Sequence, residues 1–295
     1  MKRERAKGKA KSAKQKIHPP QQGNNAKQKA WQDRDCFIPG FHAVRETLKD
    51  QKSPLQEIWI TKGKTSARTE EILTLATAKN IPVCFKQESY LSDMFDKISH
   101  QGIVGVLSAF AYAEWQQVLR HSLQEGASAL LLAADHITDP GNLGALIRTA
   151  AFFGAHGLIL PKDRSAGITA AALKRASGAH VKLPVVRVTN LGRALDELSE
   201  KGLWIIGAAG EAALSIYDFD WKRPLVLVLG SEQKGLSPSI RKRCHQRVGI
   251  PSPGGVESLN ISVAGGAILS EIYRQRARIC LTKGIPRALT TNGKT

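Results

Sequence analysis

The sequence has few of the residues that mark cross-linked or metal-dependent proteins. Among 295 residues it contains only four cysteines, Cys36, Cys84, Cys244 and Cys280, and no two of them are closer than 36 positions. This spacing provides neither a disulfide framework nor the CxxC pair of a zinc knuckle, so we expect reduced thiols. The histidines are equally scattered and form no HExxH motif, and we therefore expect no bound metal.

Long apolar runs are also missing. The longest are residues 129–134 and 225–229, whereas a membrane-spanning helix needs about 20 apolar residues. The basic N-terminus is not followed by the apolar stretch of a secretion signal. We therefore expect a cytoplasmic protein without a membrane span.

Acidic residues are scarce relative to basic ones. Asp and Glu number 25 against 43 Lys and Arg, a net charge of +18. Residues 1–30 contain ten Lys and Arg against Glu4 alone, so half of the excess lies in this segment and half in the rest of the chain. Such an excess attracts a polyanion, and nucleic acid is the partner that it favours. Residues 1–35 read as a disordered basic arm, either tracking phosphates or acting as a solubility tail.

The hydrophobic pattern predicts two α/β units. We expect the first over residues 36–110, a linker over 111–126, the second over 127–281 and a disordered tail over 282–295. In the second unit, unalternating apolar strands are predicted between helices, which is typical of a parallel sheet covered on both faces. Strands are predicted over residues 55–61, 81–85, 102–110, 129–134, 157–160, 181–188, 203–208, 225–229 and 247–250, and the last helix over 259–279.

Three polar, glycine- or proline-containing loops follow predicted strands of the second unit. Ligands of parallel α/β sheets bind at the carboxyl ends of strands, so these loops are the candidate site. They contain no GxxxxGK[ST] phosphate loop, no GxGxxG after a strand and no GxSxG elbow, which disfavours NTP hydrolysis, dinucleotide redox chemistry and serine hydrolysis. The loops span residues 135–144, 230–236 and 249–260.

The three loops resemble, in order and spacing, the motifs of the SpoU (TrmH) class of SPOUT RNA 2′-O-methyltransferases. The first is similar to DPxNxGxxxRTA, the second to GxExxG and the third to IPMxGxxxSLNVSVA. Further segments, 41–44, 100–103, 161–166 and 187–191, resemble the subgroup that methylates a guanosine of 23S rRNA. The matching positions are Asp139, Pro140, Asn142, Gly144, Arg148, Thr149 and Ala150; Gly230, Glu232 and Gly235; and Ile250, Pro251, Gly254, Ser258, Leu259, Asn260, Ser262, Val263 and Ala264.

This resemblance implies a fold, a cofactor and partners. The fold is a small L30e-like N-terminal α/β domain, which would bind the RNA substrate together with the basic arm, followed by an α/β SPOUT domain with a C-terminal trefoil knot. The cofactor is S-adenosylmethionine, held by the backbones of Gly230, Ile250 and Leu259. The substrate is large-subunit ribosomal RNA, and a homodimer is implied in which each protomer completes the other's site.

The resemblance also implies the residues around the reacting ribose, which are Asn142, Arg148, Glu232, Ser258 and Asn260. Arg148 is the family's proposed base, but a guanidinium keeps its proton in nearly every protein setting. We therefore favour electrostatic stabilisation of the alkoxide by Arg148, with base action as the alternative.

Structural interpretations stand beside these roles. Taken alone, Asn142 and Ser258 would be helix N-caps, Arg148 a solvated helix charge and Glu232 a loop carboxylate. Two other functions also remain open at this point, a tRNA ribose methyltransferase and a non-catalytic RNA-binding or ribosome-assembly factor.

Overall fold

The computed structural model describes residues 37–50, 53–95, 98–107, 110–231, 233–254 and 258–282. The predicted basic arm, Glu232 and residues 283–295 of the predicted tail lie outside this range. All described residues belong to one compact unit, Asp35–Thr295. No helix within the described ranges is long and apolar enough to cross a membrane.

The N-terminal domain is a four-stranded sheet with helices packed on it. The strands run in the order β1-β4-β2-β3, and β2 and β3 are parallel while the other two pairings are antiparallel. The elements are β1 (Phe37–Pro39), α1 (Phe41–Lys49), β2 (Leu55–Thr61), α2 (Ala67–Ala78), β3 (Val83–Lys86), α3 (Glu88–Met94) and β4 (Ile103–Leu107).

The second domain has a six-stranded sheet in the order β10-β8-β9-β5-β6-β7, and every pairing is parallel. This confirms the predicted α/β class. The elements are α4 (Trp115–Gln124), β5 (Leu130–Ala134), α5 (Pro140–Phe152), β6 (Gly157–Pro161), α6 (Ala170–Ala176), β7 (Val185–Val188), α7 (Leu191–Glu200), β8 (Trp204–Ala208), β9 (Leu225–Leu229), α8 (Pro238–Arg241), β10 (Gln246–Val248) and α9 (Ile261–Thr282).

The central strands explain the unalternating apolar pattern. Every residue of β5, β6 and β9 is buried, because helices cover both faces of the sheet. Two core clusters therefore form, one on each side of β5: Leu130 and Leu132 face one cluster and Leu131 faces the other.

Predicted and observed elements differ where the local pattern was ambiguous. The strand predicted over residues 181–188 begins only at Val185, after a 3₁₀ turn over Ala179–Val181. The segment interpreted as a linker contains α4, whose Val118 and Leu119 are buried in the core. Strand β1 and helix α8 have only 3 and 4 residues and escaped detection for that reason. The domain boundaries and the trefoil knot stay predictions.

The domains touch through α1 and the segment after α6. A Cβ on Gly178, whose φ is +88°, would lie 2.2 Å from Cβ of Glu46, so only glycine fits there. Next to it, Nε2 of the buried His180 lies 3.5 Å from Oγ1 of Thr47. Burial lowers the pKa of His180 to about 4, so its ring stays neutral at physiological pH.

Close helix packing explains a glycine of the first motif. A Cβ on Gly144 of α5 would lie 2.3 Å from the carbonyl oxygen of Ala172 in α6. On the opposite side of α5, Gly265 of α9 approaches Leu146. Helix α5 is thus held between two neighbours, and its first turn is positioned by both.

We predict that Gly144→Ala lowers the free energy of unfolding by about 1–3 kcal/mol, because the new methyl group must displace backbone of α6. Urea denaturation followed by circular dichroism measures the effect. The matched control is Gly266→Ala in α9, where the nearest atom to the new Cβ is 3.5 Å away. That change should stabilise the protein by up to about 1 kcal/mol through helix propensity. Equal stability of the two variants would contradict the packing argument.

Candidate active site

The candidate site lies where the order of strands reverses. From β5 the chain moves outward to β6 and β7, whereas β9 pairs with the other side of β5. The carboxyl ends of β5 and β9 therefore flank a crevice of the kind that binds ligands in open parallel sheets. A cleft of about 460 Å³ lies here, lined by residues from the loops after β5, β6 and β9 and by Ile261 of α9.

The first loop is anchored by an acidic residue directly after β5. Asp135 is 1% exposed, and its Oδ2 accepts a hydrogen bond from the backbone N–H of Ser237, directly after the second loop (2.7 Å). Its Oδ1 lies 2.5 Å from Nδ1 of His136, which has a φ of +64°. The buried carboxylate thus ties the first loop to the second and orients a histidine that lines the cleft.

Asp139 begins helix α5. Its side chain accepts a hydrogen bond from the backbone N–H of Asn142 (2.7 Å), and Pro140 occupies the first turn. The interpretation of Asn142 as the N-cap is therefore wrong, because Asp139 occupies that position. The side chain of Asn142 is left to line the cleft.

Asn142 and Asn260 meet although 118 positions separate them. Nδ2 of Asn260 donates to Oδ1 of Asn142 at 3.0 Å. Oδ1 of Asn260 accepts from the backbone N–H and the hydroxyl of Ser262, at 3.0 and 2.6 Å, which provides a partner for one backbone donor in the first turn of α9. Asn260, rather than Ser258, therefore performs the capping function, and the same side chain joins the first loop to the third.

The second loop folds back tightly on itself. Ser231 and Gly235 exchange two backbone hydrogen bonds of 2.9 and 3.0 Å. A Cβ on Gly230 would lie 2.2 Å from the backbone carbon of Gly235, which explains the glycine at the start of this motif. Glu232, the predicted acidic residue, lies outside the described residues.

The third loop is open on its outer side. Ile250 packs against the main core cluster, whereas Leu259 is 47% exposed and Ser258 is also exposed. A Cβ on Gly254 would meet nothing within 4 Å. The exposed side chain of Leu259 provides an apolar surface for a flat ligand, which fits the nucleoside part of the implied cofactor.

Arg148 lies away from the cleft within its own chain. It is six positions beyond Asn142 on α5, which places the two side chains on different faces of the helix. Its Nη1 donates to Oγ of Ser177 at 3.4 Å, and it does not line the cleft. The structure thus brings Asn142 and Asn260 together and leaves Arg148 on another surface.

Three cleft residues were not singled out in the sequence. His136, Arg164 and Lys234 follow β5, β6 and β9 and all line the cleft. The sequence placed them only within larger segments, the first and second candidate loops and the segment 161–166. Among the residues that the structure describes, no group of three or more His, Cys, Asp or Glu side chains could hold a metal ion.

We predict that Asn260→Asp and Asn260→Ala have separable effects. Aspartate caps a helix as well as asparagine but removes the N–H that Asn142 accepts. Stability should therefore be retained, while the methyl transfer that the motif resemblance implies falls by about 100-fold from lost positioning. Alanine should also cost about 1 kcal/mol of stability, because the cap is lost. Thermal unfolding and single-turnover rates measure the two effects, and normal activity of the aspartate variant would contradict a positioning role.

Two family models match the chain in tandem. Residues 129–270 match the SpoU rRNA Methylase family, and this range contains all three motif loops. Residues 37–113 match the model for RNA 2'-O ribose methyltransferase substrate binding, which covers the four-stranded sheet. The order of the two matches follows the order of the two domains.

Curated relatives are similar over nearly their whole length. The 23S rRNA (guanosine-2'-O-)-methyltransferase RlmB of Neisseria meningitidis is 41% identical over 239 residues, which cover 81% of this chain and 95% of the relative. The enzyme of the same name from Pseudomonas aeruginosa is 40% identical over 81% of this chain and 96% of its own. The putative TrmH family tRNA/rRNA methyltransferase YacO of Bacillus subtilis is 35% identical over 81% of this chain and 96% of its own length.

Solved structures have the same fold. The SpoU methyltransferase AviRb from Streptomyces viridochromogenes superposes with a TM-score of 0.71 at 25% identity, over 86% of this chain and 98% of that one. Its complex with the cofactor AdoMet gives a TM-score of 0.68 at 24% identity, over 87% of this chain and 95% of that one. With both domains matched in order and these identities across the curated relatives, the chain belongs to the SpoU rRNA methylase family.

Proposed function

We propose that this chain transfers a methyl group from S-adenosylmethionine to the ribose 2′-hydroxyl of a guanosine in 23S rRNA. The observation that carries the proposal is the Asn142–Asn260 hydrogen bond at the mouth of the cleft. It joins the first and third motifs of the family into one site. Relatives at about 40% identity carry the name 23S rRNA (guanosine-2'-O-)-methyltransferase, which favours this substrate over tRNA. We also propose a cytoplasmic location, since a substrate in ribosomal RNA is consistent with it.

The cofactor would bind between the second and third loops. We assign it to the backbones of Gly230, Ile250 and Leu259, beside the apolar surface described above. When bound, S-adenosylmethionine supplies a methyl group activated by a sulfonium, so the protein has mainly to position the hydroxyl.

The side chains around the cleft would act on the ribose. Asn142 and Asn260 hold each other and offer amide groups to the sugar hydroxyls, and Glu232 and Ser258 complete the polar surroundings. The hydroxyl must lose a proton as it attacks. The guanidinium of Arg148 stabilises the resulting negative charge and clamps the adjacent phosphate through its fork of donors.

A second protomer would supply Arg148. Within one chain this arginine faces α6 and not the cleft lined by Asn142. Large apolar side chains are exposed nearby on α5 and α9, with Phe152 at 82%, Val263 at 56% and Tyr273 at 52%. Exposed apolar residues of this size mark a contact surface, and an isologous dimer through this face would present each Arg148 to its partner.

The proposal predicts guanosine-specific methylation of rRNA. Purified protein with labelled S-adenosylmethionine should methylate a 23S rRNA transcript at one 2′-hydroxyl, detected by mass spectrometry of nucleosides. Arg148→Ala should lower the turnover rate by about 10²–10³, the cost of losing a charge stabiliser, without lowering cofactor affinity.

Three outcomes would contradict this assignment. Methylation of tRNA with no methylation of 23S rRNA would identify a tRNA enzyme. Absence of cofactor binding, measured by calorimetry, would identify a non-catalytic RNA-binding or assembly factor. An active Arg148→Ala variant would remove the role assigned to the guanidinium.

We also predict complementation between inactive variants. A mixture of Arg148→Ala and Asn142→Ala protomers forms heterodimers in which one composite site has both intact residues, so about a quarter of wild-type activity should return. Phe152→Glu in both partners should block dimerisation and complementation together, as measured by light scattering and activity. If each active site were built from one chain alone, the mixture would regain no activity, which would contradict the shared site.

A further inference from the structure

The buried acid of the candidate active site forms a dyad with a histidine. Nδ1 of His136 lies 2.5 Å from Oδ1 of Asp135, and Oδ2 of Asp135 accepts the backbone N–H of Ser237. The carboxylate is buried, whereas 37% of the histidine side chain is exposed. The other ring nitrogen, Nε2, forms no hydrogen bond with any residue that the structure describes. The dyad therefore leaves one nitrogen available to a molecule in the cleft, which His136 lines.

The backbone on either side of His136 is held by neighbouring segments. The N–H of Asp135 donates to the carbonyl of Leu229 in β9 at 2.8 Å, and the carbonyl of Ile137 accepts the N–H of Ala166 at 2.7 Å. Between these two bonds His136 has a φ of +64°. The ring is therefore attached to a segment that is fixed at both ends.

Left-handed backbone conformations are concentrated at this cleft. Within the described ranges five non-glycine residues have a positive φ, and two of them, His136 and Arg164, line the cleft. Such conformations are uncommon for residues other than glycine and cost free energy, and they occur preferentially at active sites. Glycine would adopt the same φ without strain. The imidazole is thus present at a cost in stability, which points to a function of the ring itself.

The carboxylate determines which ring nitrogen carries the hydrogen. An ionised carboxylate only accepts hydrogen bonds, so Nδ1 of His136 must donate to Asp135. In the neutral ring Nε2 then has a free electron pair. A proton acceptor needs this tautomer, and the carboxylate also stabilises the imidazolium that forms when the proton arrives.

The other charged side chains that line the described part of the cleft are less suited to accept a proton. Arg164 and Lys234 carry guanidinium and ammonium groups, which are donors without an acceptor. Asp139 is already engaged as the N-cap of α5. Of these groups His136 alone combines a free acceptor with a buried partner that orients it.

The groups behind the dyad do not compete for the proton. Cys244 lies between α8 and β10, and burial raises the pKa of its thiol to about 11, to which the charge of Asp135 contributes. The thiol therefore stays protonated at neutral pH. Arg247 of β10 acts on the same thiol in the opposite direction, and its guanidinium keeps its own proton.

We propose that His136 is the catalytic base of the methyl transfer and that Asp135 positions its ring. The proposal rests on the function proposed above, and it supplies the proton acceptor that Arg148 does not provide, because a guanidinium is already protonated. The target hydroxyl lies between Nε2 of His136 and the amide of Asn142, which lines the same cleft.

One displacement accounts for all atoms and charges. The proton of the 2′-hydroxyl passes to Nε2 of His136, and the electron pair of the oxygen forms the bond to the methyl carbon. The carbon–sulfur bond breaks with its electron pair left on sulfur, so the sulfonium becomes a neutral thioether. The positive charge ends on the imidazolium beside Asp135. Because the ring is partly exposed, the proton can then pass to water.

The test removes the imidazole without straining the backbone. His136→Gly should fold at least as stably as the wild-type chain, measured by thermal unfolding, because glycine accepts a positive φ. With saturating S-adenosylmethionine and 23S rRNA transcript, its single-turnover rate should fall by about 10²–10³, the usual contribution of a general base. The KM for RNA and the cofactor affinity should not change. Added imidazole should raise the rate of this variant at least about tenfold, because it replaces the missing base.

The matched control is His121→Gln, which should keep the wild-type rate. His121 is exposed on α4, and its ring lies 5.7 Å from that of His156. His156 accepts the N–H of Leu130 at the start of β5, so the control lies at the end of the sheet opposite the candidate site.

Two further measurements separate a base from a structural histidine. The wild-type rate should fall by about tenfold for each pH unit on the acid side, where the imidazole is already protonated, and this limb should be missing in His136→Gly. In spectra of ¹⁵N-histidine-labelled protein, His136 should be the Nδ1–H tautomer. Asp135→Asn should convert it to the Nε2–H tautomer, because an amide N–H donates to Nδ1, and should lower the rate by about 10²–10⁴.

A wild-type rate in His136→Gly, an unchanged acid limb or the Nε2–H tautomer in the wild-type chain would overturn the proposal. A raised KM for RNA with an unchanged rate at saturation would assign His136 to substrate binding and would also overturn it. Failure of the wild-type chain to methylate RNA would instead refute the proposed function. The tautomer is measured without substrate, so it would still test the dyad.

Discussion

The pairing of β5 with β9 is the constraint on which the candidate site depends. The two strands align residue for residue from Leu130 with Leu225 to Ala134 with Leu229, and all of these residues are buried. The pairing continues one step further, since the N–H of Asp135 donates to the carbonyl of Leu229. Because both strands end at the same edge, the first and second loops must emerge side by side. The buried carboxylate of Asp135 then closes the gap through Ser237.

Side chains around the cleft combine structural and functional duties. Asn260 completes the first turn of α9 while its amide N–H holds Asn142. A single amide can do both because it carries an acceptor and a donor on one rigid plane. Because these side chains also cap helices, the site is placed as precisely as the helices themselves. The helices are held by close contacts at Gly144 and Gly265.

Local sequence patterns determined the α/β class, the parallel sheet and the three loops that follow its strands. Strands such as β9 can be predicted from the sequence because a short run of five apolar residues is typical of a buried strand. The family motifs determined the candidate residues, since their order and spacing are visible without coordinates. Patterns failed for β1 and α8, which are too short to show a period. The segment of α4 was interpreted as a linker although Val118 and Leu119 lie on one apolar face of the helix and are buried.

Tertiary structure alone decided which residues meet. Asp139 rather than Asn142 caps α5. Both residue types can cap a helix, and only the folded backbone decides which of them occupies the cap position. Arg148 and Asn142 belong to one motif but occupy different faces of α5, a result of helix geometry that a motif does not express. Folding likewise brings Arg68 over the ring of Phe41, a contact that no local pattern expresses because it joins residues 27 positions apart.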